Sequence, residues 1–519
     1  MNNSRQHRSL IFGIYRRVAV AALALAIMLV PAVLATGSAQ AQTYSYKVLY
    51  SFTGTPDGAY PGWYGAGATL DSKGNLYGTT PAGGANNNGT IFKVDTKGKE
   101  TVLYSFTGGT DGSSPNAGLV RDAQGNLYGT AAGGGGNGAG TVFKLDTAGN
   151  LTVLHIFASQ APDGLWPSAG LVADTAGNLY GTTTMGGTNY GVVFKVDTAG
   201  TFTVLHSFAN TPDGANPNAG LALDAQGNLY GMTTTGGAFV SGTVFKVDPA
   251  TGQETVLYSF CPQPGCTDGV GPYAVPVLDA QGNLYGTTSG GGALGWGTVF
   301  KLDTTGSETV LYSFAGAPDG DGSYAGLVMD AKGNLYGTTP SGGNSGCGVW
   351  QWCGTVFKVD TTGSETVLRR FTGTGGDGGN PWTGLAQDAK GNLYGTTLDG
   401  GNIACQSYGY CFGTVFKLTP AKLTKTTTTL TSAPNPSTYG EPVTFAAMVA
   451  PAPPDGEIVS FMKGKTVLRT GLLSSGTATF VTSTLKVGTT TVTAVYAGDS
   501  DFKASKSKPV KQVVEKAEE

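Results

Sequence analysis

"GNLYGTT" at residues 74–80 returns, whole or with one letter changed, at residues 125–131, 177–183, 227–233, 282–288, 333–339 and 391–397. The seven copies lie on average about 53 residues apart, and periods of this size mark propellers or solenoids. The phrase is one corner of a larger unit, read most fully at residues 273–314 as "YAVPVLDAQGNLYGTTSGGGALGWGTVFKLDTTGSETVLYSF". Four strand signals fill that unit: a "GLVLD"-like run, "NLYGTT", "GTVFKV" and "ETVLYSF". Each is short, rich in β-branched and aromatic residues, and bounded by Gly, Asp or Asn. No helical period appears outside the leader, and 84 glycines in 519 residues would make helices costly.

Two hairpin loops join these strands. Asp71, Asp122, Asp174, Asp224, Asp279, Asp330 and Asp388 each stand three residues before the Gly of Gly-Asn. Asp accepts backbone N–H bonds in a tight turn, and Gly-Asn takes positive φ. The seven acids could instead form a cation ring, but turn chemistry accounts for all of them. "DTTGSE" supplies the second hairpin loop.

Four antiparallel strands per unit make a propeller blade. The last "GTVFKL", residues 413–418, has no "ETVLYSF" after it, and the N-terminal "YKVLYSF", residues 46–52, supplies one. That offset closes a ring and hides two strand edges. Residues 43–420 are therefore expected to form a seven-bladed β-propeller.

The consensus D-G…P-x-A-G-L…D-A-x-G-N-L-Y-G-T-T-x-x-G-G…G-T-V-F-K-x-D resembles the tandem repeat of the bacterial GloVer-type choice-of-anchor proteins over nearly all of 43–420. "D-x-x-G-N-L-Y" is more loosely similar to NHL-type propeller repeats. The resemblance implies an exported protein of repeat architecture and brings no catalytic residue with it.

From about Leu423 glycine falls while Thr, Val and Lys rise. Strand-like alternation at short spacing over 424–515 predicts a β-sandwich. "YGEPVTF" at 439–445, "GTATF" at 476–480 and "AVYAGDSDF" at 494–502 resemble a bacterial Ig-like domain of group 3, which implies a spacer or adhesion module.

The chain opens with Arg5, Arg8, Arg16 and Arg17, an apolar run from Val18 to Ala35, and Ala39-Gln40-Ala41. This reads as a signal peptide over 1–41, with an uncleaved anchor as the alternative. No other apolar run approaches a membrane span. A secreted or cell-surface protein is expected. The six cysteines fall in close pairs, Cys261/Cys266, Cys347/Cys353 and Cys405/Cys411, which reads as disulfides in an exported chain. The repeat region holds 16 basic against 26 acidic residues, a poor match for nucleic acid. No metal or cofactor is expected.

The loops joining strands one to two and three to four are short and uniform. Those joining two to three, and one blade to the next, are long and variable and leave from the opposite face. Binding usually lives on variable loops held by a rigid scaffold. Trp63, Trp166 and Trp382 fall in blade-to-blade loops, and Trp296, Trp350 and Trp352 in two-to-three loops, joined there by Tyr408 and Tyr410 among other tyrosines. All three cysteine pairs lie in the same loops. Aromatic faces with polar edges suit sugars, or protein surfaces with an apolar spot. An extracellular glycan or surface protein is therefore the expected partner, with inter-blade packing as the alternative role for each ring.

His155 and His206 sit where other blades have Tyr, and read as outer-strand packing residues. This argues against a His-based triad. The acids Asp57, Asp111, Asp163, Asp213, Asp268, Asp319 and Asp377 recur in every blade and read as architectural. Asp321 and Asp399 do not recur, and Arg121 and Gln387 replace mostly apolar residues at one inner-strand position that could line the channel. These leave an extracellular lyase or hydrolase as the second reading, with no catalytic residue assigned.

Overall fold

The computed structural model describes residues 44–62, 67–158, 162–343, 353–374, 376–401, 412–498 and 502–517. The chain divides after Pro420 into two compact units. Among the described residues every regular element is a β-strand.

Residues 44–420 form a β-propeller whose strands assemble into seven four-stranded antiparallel sheets. The first sheet contains Thr69–Leu70, Leu76–Thr80, Thr90–Val94 and Glu100–Ser105, hydrogen-bonded in that order. The next five repeat it. The seventh takes Ala386–Gln387, Leu393–Thr397 and Thr414–Pro420, and its outermost strand is the N-terminal Tyr44–Ser51. That strand runs antiparallel, from Tyr44 opposite Pro420 to Ser51 opposite Thr414.

The repeated phrase can now be read letter by letter. Asp71 Oδ1 accepts the N–H groups of Lys73 and Asn75, both at 2.9 Å, and Oδ2 accepts Asn75 Nδ2 at 2.8 Å and the Tyr77 hydroxyl at 3.3 Å. Gly74 turns the chain at φ 82°, a left-handed value that glycine adopts without strain. Leu76 enters the core. A Cβ on Gly78 would stand 2.6 Å from the Phe92 ring, so only glycine lets the second and third strands enclose that phenylalanine. Thr79 Oγ1 donates to Ala117 O of the second repeat at 2.8 Å, and Thr80 Oγ1 pairs with Thr90 Oγ1 at 2.8 Å. One heptapeptide thus supplies a turn, a core residue and a tie to the next repeat.

The terminal Phe of "LYSF" joins each sheet to its successor. Phe106 meets Phe143 edge-on at 5.3 Å, and the pattern continues through Phe157–Phe194, Phe208–Phe245, Phe260–Phe300, Phe314–Phe357 and Phe371–Phe416 at 5.0–5.4 Å. The seventh contact, Phe52–Phe92 at 5.0 Å, returns from the last sheet to the first, so the seven sheets close into a ring. All of these rings are fully buried. Such edge-on pairs add roughly 0.5–1.5 kcal/mol each beyond area burial.

Residues 421–519 form the second unit, an Ig-like β-sandwich. Thr427–Ala433, Val443–Ala450 and Thr477–Thr482 make one sheet, and Gly488–Tyr496 and Ile458–Lys463 are central to the other. Inward residues alternate along the strands, and Phe445, Val459, Phe461, Val492 and Tyr496 fill the core.

Candidate binding face

The two long loops of each repeat run side by side. Short antiparallel bridges join Ala59 to Ala82, Ser113 to Gly133, Leu165 to Met185, Ala215 to Thr235, Val270 to Gly290 and Asp321 to Ser341. Gly378–Gly379 and Asp399–Gly400 do the same in the seventh repeat. Both long loops therefore lie on one face of the ring.

The recurring Asp-Gly acids hold these loops to the outer strands. Asp111 accepts the Tyr104 hydroxyl at 3.1 Å, the Thr107 N–H at 2.7 Å and the Thr107 hydroxyl at 2.5 Å. Tyr50–Asp57, Tyr258–Asp268 and Tyr312–Asp319 repeat the arrangement. His155 pairs with Asp163 at 3.2 Å, His206 with Asp213 at 3.1 Å and Arg369 with Asp377 at 2.8 Å. The two histidines are thus more than packing residues, although His155 also stacks on Phe202 at 3.8 Å. The signal was in the sequence: Tyr, His and Arg all end in a donor, and an Asp follows at a similar distance every time.

Backbone narrows the axis of the ring. A cavity of about 140 Å³ is lined by Gly67, Gly118, Gly170, Gly220 and Val275, with Tyr273 beside them. A Cβ on Gly220 would lie 2.8 Å from Gly170 O, so glycine is what allows this approach. Arg121 is not among the lining residues. Its guanidinium lies 5.8 Å over the Tyr77 ring of the first sheet, and the residue also borders a groove between the second and third sheets on the short-turn face. Gln387 is half-buried at the end of Ala386–Gln387, paired with Leu393.

Five residues after the Asp-Gly acid, the second, third and fourth repeats carry Asn116, Ser168 and Asn218, and the fifth, sixth and seventh carry Tyr273, Tyr324 and Trp382. These three aromatics make a continuous row. Tyr273 meets Tyr324 at 5.0 Å, and Tyr324 stacks on Trp382 at 4.6 Å with 21° between the planes. Asn380, only 6% exposed and at φ 42°, donates from Nδ2 to Asp399 Oδ2 at 3.4 Å. Asn380 Oδ1, Asp399 Oδ1 and Trp382 Nε1 are buried with no hydrogen-bond partner. Burial pushes the Asp399 carboxyl up to about 6 against the opposing bond from Asn380. Burial also raises Asp321, which accepts the Ser341 hydroxyl at 3.1 Å. Burial first, then Tyr273 and Asp321, raises the Tyr324 hydroxyl.

Trp166 and Trp296 lie on the same face at 48% and 45% exposure, and Phe239, Val240 and Leu294 are exposed in the neighbouring two-to-three loops. Among the described residues no ring contact joins Trp166 or Trp296 to the axial row. Trp63, Trp350, Trp352, Tyr408 and Tyr410 lie outside the described residues, as do Cys347, Cys405 and Cys411. Cys261 and Cys266 form a disulfide, and Cys353 is disulfide-bonded and buried. Among the described residues no three His, Cys, Asp or Glu side chains gather as a metal-ligand set, and no helix is long and apolar enough to cross a membrane.

With this geometry the chain can be placed. It belongs to the Gloeobacter/Verrucomicrobia repeat family, whose model matches residues 37–161, 96–267 and 262–448. A bacterial Ig-like domain of group 3 matches residues 430–515. Among solved structures, the extracellular domain of a candidate one-component system from B. thetaiotaomicron aligns over 92% of this chain and 58% of its own length, with 14% identity and a TM-score of 0.44. The chain thus spans about three fifths of that protein. A B. thetaiotaomicron protein of unknown function aligns over 73% of this chain and 98% of its own, with 14% identity and a TM-score of 0.35. An ulvan lyase of polysaccharide lyase family 25 aligns over 70% and 95%, with 11% identity and a TM-score of 0.40. No curated protein matches the chain.

Proposed function

We propose that the protein is an exported bacterial surface-binding protein that holds an extracellular glycan at the axial mouth of its long-loop face, with the Ig-like domain as spacer or adhesion module. The observation that carries this reading is the Tyr273–Tyr324–Trp382 row. Pyranose rings present apolar C–H faces to aromatic rings and hydroxyl edges to amides and carboxylates, and the unpartnered Asn380 and Asp399 oxygens are acceptors of that kind. The acidic repeat region favours neutral over anionic sugars. Trp166 and Trp296, with the exposed apolar loop tips around Trp296, would add contacts farther out on the same face. Export is supported by the basic and apolar leader sequence and the Cys261–Cys266 disulfide.

A second reading has one observation in its favour. The raised, asymmetric carboxyl of Asp399 beside Trp382 is of the kind a lyase or hydrolase uses as a general acid. A glycan array probed with residues 43–420, followed by product analysis on each glycan bound, tests both. Binding without cleavage supports the first reading, and cleavage abolished by Asp399→Asn supports the second. No binding by the array overturns the glycan assignment.

A further inference from the structure

The outer strands meet at seams that neither binding nor catalysis explains. The turn before the outer strand of one sheet abuts the outer strand of the sheet before it. A Cβ on Gly98 would lie 2.6 Å from Leu49 O, and Gly252, Gly306 and Gly363 stand likewise against the carbonyls of Leu205, Leu257 and Leu311. Two residues after each of these glycines comes a glutamate: Glu100, Glu254, Glu308 and Glu365. Each has its Oε1 buried without a hydrogen-bond partner. Each interacts electrostatically with the Asp-Gly carboxylate of its own repeat, respectively Asp57, Asp213, Asp268 and Asp319, which the outer strand of the preceding sheet holds. Those aspartates are already engaged by Tyr50, His206, Tyr258 and Tyr312. Among the described residues, Arg370 acts on Glu365 and opposes its raised value.

The other three seams show what the position requires. Leu151, Phe202 and Tyr46 stand there, all uncharged. Tyr46 is also hydrogen-bonded to Asp377, so at that seam a neutral O–H occupies the place the glutamates take elsewhere. A glutamate matches those residues only in its protonated form, when it too is neutral and can donate to the facing carboxylate.

We propose that the propeller carries an acid-dependent clasp at four of its seven seams, in which protonated Glu100, Glu254, Glu308 and Glu365 face the carboxylates of Asp57, Asp213, Asp268 and Asp319. Burial first, and the facing aspartate second, push Glu100, Glu254 and Glu308 up to about 7 and Glu365 up to about 8, from an ordinary 4.5. A carboxyl whose folded value is raised stabilises fully below its unfolded value and loses that contribution as pH rises through the folded value. The clasp is thus protonated near pH 5 and is lost as pH rises through about 7 at three seams and about 8 at the Glu365 seam. His155, lowered first by burial, acts in the opposite direction over part of this range, so the comparison needs a variant.

The melting temperature of the full chain, followed from about pH 5 to about pH 8, should fall. The fourfold variant E100Q/E254Q/E308Q/E365Q, neutral at both ends, should lose most of that slope. A wild-type melting temperature that holds steady across the range, or a variant that falls as steeply, overturns the clasp. Should the variant not fold, infrared spectra of the wild-type protein decide. Protonated-carboxyl C=O absorption should persist at about pH 6 in the native state and vanish on unfolding, and its absence in the native state refutes the proposal.

Discussion

On the short-turn face, Asp122, Asp174 and Asp279 each accept the same bonds from the same Asn and Tyr positions, within a few tenths of an ångström. On the long-loop face, the equivalent position at the mouth reads Asn116, Ser168, Asn218, Tyr273, Tyr324 and Trp382. One face repeats because every sheet must meet its neighbour in the same way. The other is free to vary because its loops are held from below by the Asp-Gly acids. A regular scaffold thereby carries an irregular surface, polar at one side of the mouth and aromatic at the other.

The contrast can be broken most severely through closure. Deleting residues 44–52 removes the outermost strand of the seventh sheet and both Phe52 contacts, exposing an edge. Cooperative unfolding should be lost, or the protein should aggregate. A truncated chain that stays monomeric with an unchanged melting curve refutes closure. Gly181→Val comes next, because its Cβ would meet Phe194 at 2.6 Å and Leu171 at 2.8 Å. A cost of about 3 kcal/mol in chemical denaturation is expected, the upper range for an overpacked core. Asp279→Ala removes four accepted bonds from one turn and should cost about 2 kcal/mol. Burial raises Asp279, but the Asn283 bonds outweigh it and hold it below the ordinary value, so the native advantage over this variant should shrink in acid. The smallest stability effect belongs to the long-loop face. Trp382→Ala should weaken binding of an array-identified glycan by about 1–2 kcal/mol in a titration, with little change in melting temperature. A large drop in melting temperature with unchanged affinity would make Trp382 a packing residue.

Much of this was legible in sequence because the architecture is written seven times. The period, the turn aspartates and the displaced "YKVLYSF" are local signals that survive without a structure. The placement of Trp166, Trp296 and Trp382 on one face followed from loop length alone. The stacking of Tyr273, Tyr324 and Trp382 did not, since it depends on how three repeats converge at the axis. The Arg121 position also misled. The residue replaces mostly apolar ones at one inner-strand position, which pointed to a channel, but backbone glycines narrow the axis and the guanidinium lies over Tyr77. The Glu100-type seams were hidden because each glutamate meets an acid far earlier in the chain, brought to it by the outer strand of the sheet before.

The pairing of Ser45 with Thr419 spans 374 residues. During synthesis the first strand emerges long before its partner exists, and six complete sheets precede the strand it must find. The ring can close only once residues 414–420 exist, and until then two unsatisfied edges wait in the same molecule.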